Sequence, residues 1–369
     1  MRASLFSFFR GTAPLFAADW AAEAPAALRT CPNAWLCGDA HLENFGTYRA
    51  KHGLVVFDLN DFDETWLGPL LYDVARLTTS ARVWEEEAGV TGTGYGHCDE
   101  LVGAYAAALC DGKALWIDRD IATGRIAKLM EQVYARKYAD LLAKHTVVDR
   151  AVEGKQRHLA FGKRALAVTV EQRARAVATV AAFAQTTSEP PGAYDVLDVA
   201  WRVAGTGSLG LERYVVLVAG DGSADGARLI DVKQAAPSSL ANLPGVKQPA
   251  WESEAARVVG GYQRMQARSP SRLGAIGAAD RSFVVRRLQP VEDKLDWSDR
   301  TDLDVANLLV ALGELLAWGH LRSGGRDGSA VADELIAFGR DPAWRGPALD
   351  YAVGAASRFK EYWQTFRGS

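Results

Sequence analysis

The amino-acid sequence predicts an α+β fold, with a small group of antiparallel strands beside a larger and mainly helical part. Residues 55–64 alternate apolar side chains with Asp and Asn, which is typical of a strand whose end carries polar groups to a site. Residues 196–233 contain three strand-like runs separated by glycine-rich turns. Elsewhere, apolar residues recur at the spacing of one helix face, and this pattern predicts the helical part.

Length and composition are those of a globular chain. The 369 residues can form one large or two medium domains with an ample core. With 49% hydrophobic residues, 24% charged residues and a net charge of −3, the chain matches neither a disordered, a fibrous nor a membrane-embedded protein. The longest apolar runs, such as residues 214–219, are too short to cross a bilayer, and no basic stripe indicates nucleic acid. We therefore expect no membrane and no nucleic-acid partner.

Two features predict a cytoplasmic protein. Arg10 interrupts the N-terminal apolar segment after five residues, which is shorter than the apolar region of a signal peptide. The four cysteines lack zinc-ligand spacing, and so few in a chain of this size are typical of reduced thiols rather than of a disulfide framework. Arg10 itself precedes Gly11, and it either reaches an acidic site or a phosphate or is a solvated surface charge.

The stretch from Trp35 to Asp73 carries a dense acidic cluster. Five carboxylates fall within sixteen residues of otherwise apolar sequence: Asp58, Asp61, Asp63, Glu64 and Asp73. Two carboxylates about 4 Å apart repel each other by roughly 4 kcal/mol at an effective dielectric constant of about 20. The cluster therefore predicts a cation or a basic partner, and a hard divalent metal ion meets this requirement.

The motif Gly38-Asp39-Ala-His41-Leu-Glu-Asn44 resembles the catalytic loop of kinase-like phosphotransferases, in particular the aminoglycoside and choline phosphotransferases. A metal-binding aspartate follows this loop in those enzymes, and here Asp61-Phe62 comes after it. The later pattern Gly68-Pro-x3-Asp73-Val-Ala is similar to the helix that comes next in the same enzymes.

This resemblance assigns roles to the acidic stretch. It implies that Asp39 orients or deprotonates an acceptor hydroxyl. His41 would brace the loop around it. The resemblance also implies a Mg²⁺ site. Asn44 and Asp61 would be its direct ligands, and Asp58 and Asp63 would be outer-shell or alternative ligands.

Three other interpretations compete for these residues. Asp39-x-His41 also opens the metallophosphoesterase signature, but the Gly-Asn-His that should follow is absent. Asp58-x-Asn60 begins like an EF-hand loop, but Phe62 stands at the third ligand position and Asp63 stands where glycine is required, which excludes it. The third interpretation is a buried carboxylate network that caps helices and strands.

A second motif lies between two strand-like runs, residues 196–203 and 214–218. A dinucleotide-binding fold would begin a helix after its third glycine, whereas a second strand follows here, so the sequence predicts a hairpin with a glycine-rich tip. Glycines let backbone amides approach phosphate oxygens closely. In the kinase-like resemblance, the tip covers the nucleotide phosphates. The residues implied in this contact are Gly205, Thr206, Gly207, Ser208 and Gly210.

Lys233 lies in the third strand-like run, residues 229–233, and the resemblance implies that it pairs with the α- and β-phosphates of ATP. A helix beginning after Pro249 carries Glu252 and Glu254 near its start. Either carboxylate could hold Lys233 in place, or both could be ordinary N-terminal helix residues. Residues 283–288 would form the strand that leads to the adenine, and residues 305–322 the long helix that precedes the catalytic loop.

The order of these parts is rotated relative to that of a usual kinase, since the catalytic loop and the metal aspartate come first. The sequence thus predicts a protein-kinase-like two-lobe fold with a circularly permuted order. We expect the catalytic and metal part of the large lobe at residues 1–83 and helical parts of that lobe at 84–192 and 291–369. Residues 193–290 would form the small nucleotide-binding lobe.

Helical periodicity supports this division. Residues 70–83, 99–109 and 171–184 are predicted helices, and apolar residues between 126 and 142 form one amphipathic stripe. The chain should therefore be helical for more than a hundred residues after Asp73. Residues 188–192, with two prolines and a glycine, predict the boundary before the small lobe, and residues 351–366 predict a last helix.

Several of these motifs together resemble the bacterial family called domain of unknown function 2252. They are Phe8-Phe-Arg-Gly11, residues 38–46, residues 57–64, residues 205–210 with Lys233, residues 257–266 and residues 313–324. The likeness covers nearly the whole chain. It implies little about the substrate. Because this chain begins close to its Arg10-Gly11 motif, the resemblance also implies that an upstream extension common in such proteins is missing here.

The function expected from the sequence is an ATP- and Mg²⁺-dependent phosphotransferase acting on an unidentified hydroxyl acceptor, either a small molecule or a protein. Two alternatives keep the nucleotide site, as a nucleotide-binding pseudokinase or as an adenylyl transferase. A metal-dependent phosphoesterase is a further alternative. The sequence selects no acceptor and no oligomeric state.

Overall fold

The computed structural model describes residues 1–90, 94–149, 156–204, 210–243, 245–278, 280–298 and 302–368. It is an α+β fold, as the sequence predicts. The helices in chain order are α1 Leu5–Arg10, α2 Ala13–Glu23, α3 Ala26–Arg29, α4 Leu71–Ala88, α5 Cys98–Asp111, α6 Gly124–Tyr134, α7 Tyr138–His145, α8 Val170–Ala184, α9 Glu254–Met265, α10 Asp302–Ser323, α11 Ala332–Arg340 and α12 Arg345–Gly368.

The strands are short and pair in antiparallel fashion throughout the described residues. In chain order they are β1 Asn33–Leu36, β2 Phe45–Arg49, β3 Val55–Leu59, β4 Trp66–Pro69, β5 Ile117–Asp118, β6 Thr146–Asp149, β7 Gln156–Leu159, β8 Ala165–Leu166, β9 Val196–Arg202, β10 Arg213–Val218, β11 Arg228–Ala235, β12 Leu273–Ala278, β13 Arg281–Arg287 and β14 Asp293–Lys294.

The largest sheet has six strands in the order β12-β13-β11-β10-β9-β8. Helix α8 begins with a capping box between Thr169 and Gln172 and buries Val180 and Phe183 against one face of this sheet. Leu142 of α7 and Leu159 of β7 pack against part of the other face. Both β8 and α8 precede the boundary predicted at residues 188–192.

The main hydrophobic core lies among the helices. Helix α5 packs against α10 and α11, and α4 packs against α12 and α1. A four-stranded sheet in the order β14-β2-β3-β5 borders this core. The chain passes from β13 of the large sheet directly to β14 of the smaller one, so these two sheets are joined by a short connection at residues 288–292.

Most predicted elements are confirmed. The helix at 70–83 is α4, those at 99–109 and 171–184 are α5 and α8, and the strand-like runs at 196–203, 214–218 and 229–233 are β9, β10 and β11. The prediction of continuous helix after Asp73 is wrong, because β5 to β8 interrupt it. The amphipathic stripe at 126–142 is also divided, into α6 and α7, at residues 135–137. No helix within the described ranges is long and apolar enough to span a membrane.

Candidate functional site

Two strand pairs bring most of the predicted catalytic and metal residues to one place. Leu36 at the end of β1 pairs with Trp66 at the start of β4, and Phe45 at the start of β2 pairs with Leu59 at the end of β3. The loops at 37–44 and 60–65 therefore leave the two strand pairs at adjoining ends. This register puts Asp39, Asn44, Asp61 and Asp63 beside one another, although all four lie outside the regular strands.

These loops border two adjoining cavities of about 230 Å³ and about 150 Å³, which we call the central cleft. The smaller cavity also contains Asp39 and His41, and the larger also contains Tyr262 and Arg286. Seven residues line both cavities: Glu43, Asn44, Asp61, Asp63, Arg213, Lys233 and Lys294. Strands β10 and β11 of the six-stranded sheet thus face the loops of the strand pairs across this cleft.

Asp73 fixes the backbone of the loop that carries Asp39. This buried carboxylate, in the first turn of α4, accepts hydrogen bonds from the backbone N–H groups of Cys37 at 2.8 Å and Gly38 at 3.0 Å. Gly38 has a φ of +80°, and a Cβ atom there would overlap the backbone carbonyl of Glu64. The position therefore requires glycine.

Asp39 is held by Arg76, a fully buried residue of α4. The Arg76 Nε donates to Asp39 Oδ1 at 2.6 Å, and the guanidinium lies over the rings of Phe9 at 4.6 Å and Phe16 at 5.0 Å. Burial raises the pKa of Asp39 to about 6, and the adjacent Arg76 charge offsets only part of that effect. Since the Asp39 side chain is still 23% exposed, its carboxylate remains accessible from the cleft.

His41 lies on the same loop with its Nε2 atom 3.9 Å from Asp39 Oδ2. Its Nδ1 accepts a hydrogen bond from the backbone N–H of Glu43 at 3.1 Å, which assigns the ring proton to Nε2 in the neutral form. Burial, followed by the charges of Arg10 and Arg76, lowers the pKa of His41 well below its usual range. These surroundings favour the neutral imidazole, whose Nδ1 binds the backbone of the same loop at Glu43.

Asn44 connects the two loops. Its Nδ2 donates to the backbone carbonyls of Asp39 and Asp61, each at 3.1 Å. Asn44 is 2% exposed, and its Oδ1 atom has no hydrogen-bond donor within the described part of the chain. A buried amide oxygen without a partner is costly, so this atom is a natural site for a cation.

Lys233 reaches the acidic loop from β11. Its Nζ contacts the Asp63 carboxylate and lies 4.0 Å from Asp61 Oδ2. Burial lowers the pKa of Lys233, but the charges of Asp61 and Asp63 outweigh this and raise it. Burial and the Asp61 charge raise the pKa of Asp63, whereas Lys233 and Lys294 overcome burial and lower the pKa of Asp61. Lys233 and the two carboxylates thus interact electrostatically with one another in the cleft.

Asp58, predicted as an outer-shell or alternative metal ligand, does not line the central cleft. It lies within β3, fully buried, and accepts from the Arg322 guanidinium at 3.0 Å and from the backbone N–H of Ala267 at 3.2 Å. Its second oxygen accepts from the N–H of Leu59 at 2.9 Å. Because donors already surround this carboxylate, we remove it from the candidate ligands.

The predicted partnership between Lys233 and Glu254 is also absent. The Glu254 carboxylate binds Arg257 one turn later in α9 at 2.6 Å, and Glu252 is exposed before the helix begins. Lys233 takes its carboxylates from the loop at 61–63 instead. An acidic residue at a helix start is consistent with the ordinary N-terminal interpretation that the sequence left open.

Of the glycine-rich tip, residues 205–208 lie outside the described residues. Gly210 is described, with a φ of +91° and open space around its Cα. It precedes β10, whose first residue, Arg213, pairs with Lys233 across the β10–β11 ladder. Strands β9 and β10 are antiparallel neighbours, so the predicted hairpin is present on both sides of the tip.

Two tethers hold the acidic loop against the six-stranded sheet. The Glu64 carboxylate accepts from the Ser239 N–H at 2.6 Å and from the Ser238 hydroxyl at 3.0 Å, just beyond β11. The buried Arg257 guanidinium donates to the carbonyls of Thr65 and Ala236, each at 2.8 Å. These bonds fix the distance between Lys233 and the loop at 61–63.

Four basic residues in or beside the central cleft were not found from the sequence: Arg76, Arg213, Arg286 and Lys294. Arg202, Arg213 and Arg286 surround the buried Asp231, which Arg202 and Arg213 approach to 2.7 Å and Arg286 to 3.5 Å. The cluster keeps the pKa of Asp231 well below its usual range, because the three guanidinium charges outweigh burial. Alternation along β10 and β11 could have placed Arg213, Asp231 and Lys233 on one face.

The donor set fits Mg²⁺. The cleft offers the unpartnered Asn44 Oδ1 and the carboxylates of Asp61 and Asp63, and Mg²⁺ prefers hard oxygen ligands completed by waters and substrate phosphates. No cluster of three or more His, Cys, Asp or Glu side chains suited to a metal occurs in the described ranges. The protein ligands would thus be two carboxylates at most, with the amide oxygen.

Comparison with known sequences identifies the family. A family described as "Uncharacterized protein conserved in bacteria (DUF2252)" matches residues 1–369. Comparisons with curated proteins and with solved structures find no match. Since the match extends over the full length given, this chain belongs to the DUF2252 family.

Proposed function

We propose that this chain is an ATP- and Mg²⁺-dependent phosphotransferase that transfers the γ-phosphoryl group to a hydroxyl acceptor. The observation that carries the proposal is the meeting of Lys233 with Asn44, Asp61 and Asp63 in one cleft, from segments about 170 residues apart. Phosphoryl transfer requires this combination of oxygen ligands for a metal and fixed cations for the phosphates.

Each cleft residue has a role that its surroundings support. Lys233 and Arg213 would hold nucleotide phosphates, because both are cations lining the cleft. Asn44 Oδ1 and Asp61 would hold Mg²⁺, with Asp63 as a neighbouring ligand, and the positive charge of the ion would offset negative charge on the phosphoryl group. Asp39 would orient the acceptor hydroxyl and accept its proton at Oδ2, the oxygen not bonded to Arg76.

We infer further that the fold is kinase-like and circularly permuted, with the six-stranded sheet as the small lobe. Three arrangements support this inference. Lys233 lies in the strand that follows the β9–β10 hairpin, and α9 packs against β11, β12 and β13. The chain leaves β13 directly for the region beside Asn44, where Lys294 of β14 pairs with Gly46. Glu254 departs from the kinase pattern, since Lys233 pairs with Asp63 instead.

Calorimetric titration with ATP tests the proposal. We expect ATP to bind in the presence of Mg²⁺ and to bind more weakly without it. Asp61→Asn should remove most of the Mg²⁺ dependence, whereas Asp111→Asn, at an exposed ion pair with Lys113, should leave it unchanged. The proposal fails if millimolar ATP does not bind with Mg²⁺ present.

Labelled ATP then separates transfer of phosphate from the related reactions. A γ-phosphate label that appears on an acceptor from a cell extract supports phosphotransfer, and an α-phosphate label supports adenylyl transfer. Binding without either product indicates a nucleotide-binding module. Phosphate release from esters without ATP would indicate a phosphoesterase.

A further inference from the structure

A larger and more basic cavity adjoins the central cleft. It has a volume of about 960 Å³ and lies at the end of β9, between α7, β7 and β8. We call it the basic cavity. No carboxylate lines it among its described residues. Six lysine and arginine side chains do: Arg10, Lys144, Lys163, Arg164, Arg202 and Lys294.

The contrast with the central cleft is one of charge. The larger part of the central cleft is lined by four cations and four carboxylates, so its charge is balanced. In the basic cavity, Arg202 is paired with Asp231 and Arg10 with Glu43, at 2.7 Å and 2.9 Å. The other four cations have no ion-pair partner in the part of the chain that the structure describes. Three of these four, Lys144, Lys163 and Arg164, line neither part of the central cleft, so their uncompensated positive charges face the basic cavity alone.

The same excess of positive charge affects His145, which lines the basic cavity at the end of α7. Burial lowers its pKa, and the charges of Arg202, Lys144 and Arg164 lower it further. A field of this sign favours anionic ligands, and the cavity lies within the size range of small-molecule sites.

The basic cavity adjoins the part of the central cleft that contains Asp39. Arg10 and Lys294 line both spaces. A ligand in the basic cavity would reach the Asp39 carboxylate by passing these two shared side chains. Nucleotide phosphates have their own cations in Lys233 and Arg213, so the additional charge points to a second anionic molecule.

We propose that the basic cavity binds a phosphate-bearing small molecule, with its phosphate among Lys144, Lys163 and Arg164 and a hydroxyl group toward Asp39. This inference rests on the proposed function, in which the molecule is the phosphoryl acceptor. Transfer forms a bond from the acceptor oxygen to the γ-phosphorus and breaks the bond from that phosphorus to the β,γ-bridging oxygen. ADP leaves with this oxygen, and the acceptor proton goes to Asp39.

Titration calorimetry with inorganic pyrophosphate at low ionic strength tests the site directly. Lys163→Glu combined with Arg164→Glu changes two exposed residues of the cavity rim and should weaken pyrophosphate binding about tenfold or more. Lys233→Ala should change it by less than about twofold. Lys247→Glu with Lys360→Glu, two exposed lysines elsewhere, has the same change in net charge and should have little effect. Circular dichroism spectra of all variants verify folding.

A second titration tests the acceptor role. Pyrophosphate should still bind wild-type protein saturated with MgATP, because an acceptor and a nucleotide must be bound together. The inference is overturned if pyrophosphate does not bind, if Lys233→Ala abolishes binding, or if MgATP displaces it, since the last result would assign the cavity to the nucleotide. If MgATP binds but pyrophosphate does not, the proposed function stands and the phosphate-bearing acceptor is ruled out. If pyrophosphate binds while MgATP does not, the acceptor role falls with the proposed function.

Discussion

Asp39 divides its carboxylate between Arg76 and the cleft, and its raised pKa of about 6 gives a pH dependence to any step in which it accepts a proton. Below this pKa the carboxyl group is protonated and inactive as a base, so kcat/KM for ATP turnover should rise with pH through about 6. Arg76→Gln removes the charge that lowers the pKa and should move the acidic limb upward by about one unit or more.

Arg76→Lys is the matched control, because it keeps the positive charge and should leave the limb closer to its original position. The measurement is the pH profile of kcat/KM between pH 5 and 8 for the three proteins. A profile that is flat over this range, or a limb that Arg76→Gln does not move, would contradict the role of Asp39.

Lys233 should contribute most of the phosphate affinity that a single side chain supplies. Lys233→Ala removes a charged contact of about 1.5–3 kcal/mol, so MgATP affinity should fall about 10- to 100-fold. Lys247→Ala, at an exposed lysine, serves as control and should retain wild-type affinity. Equal affinities of the two variants in calorimetry would rule out Lys233 as a phosphate ligand.

At this scale, the sequence predicted residues whose role depends on a local loop and missed those whose role depends on distant partners. Asp39 and Asn44 stand in one motif and line the cleft together. Arg76 and Lys294 meet them only through tertiary packing, so no short motif includes them. Asp58 was misassigned because acidic residues three apart, inside and beyond a strand, reach different surroundings: Arg322 for Asp58 and Lys233 near Asp61.

Helix α4 is the element that positions the loop carrying Asp39. Asp73→Asn replaces one acceptor oxygen by an amide N–H₂ group, which cannot accept from the backbone of Cys37 or Gly38. We expect the free energy of unfolding to fall by about 1–3 kcal/mol, the cost of an unsatisfied buried group. Urea unfolding measures the loss, and Asp111→Asn should lose less than about 1 kcal/mol. If both variants lost the same free energy of unfolding, the Asp73 hydrogen bonds would not be what stabilises the loop.

Among the elements, long periodic segments were predicted well and very short strands were not. Helix α4 and strands β9 to β11 carry enough residues for their apolar period to appear. Strands β5 and β8 have two residues each, which is too few for an alternation to be recognised. They exist because a neighbouring strand pairs with them, as β9 pairs with β8, and the local sequence does not contain that information.

At the scale of the whole molecule, the important contact is the junction between the six-stranded sheet and the loops at 37–44 and 60–65. Arg257 donates to backbone carbonyls on both sides of this junction and is itself fully buried. Arg257→Met leaves those carbonyls without their donor, so we expect stability to fall by about 2–4 kcal/mol and MgATP affinity to fall with it.

Arg264→Met, in the same helix, tests whether the effect belongs to the junction. Arg264 makes a partly exposed ion pair with Asp327, so its loss should cost less than about 1 kcal/mol and should leave MgATP affinity unchanged. Thermal unfolding with and without MgATP measures both quantities. If Arg257→Met destabilised the protein but kept full MgATP affinity, the junction would not position the nucleotide site.

The proposed function requires metal and nucleotide to occupy one cleft formed from both sides of this junction. Electron paramagnetic resonance of Mn²⁺, used in place of Mg²⁺, measures how much metal the protein binds, because free and bound Mn²⁺ give distinct signals. We predict that ATP increases the Mn²⁺ bound by the wild-type protein and that both Asp61→Asn and Lys233→Ala reduce this increase about tenfold or more at the same ATP concentration. Mn²⁺ binding that ATP does not change, or an ATP effect that survives both substitutions, would contradict a shared cleft.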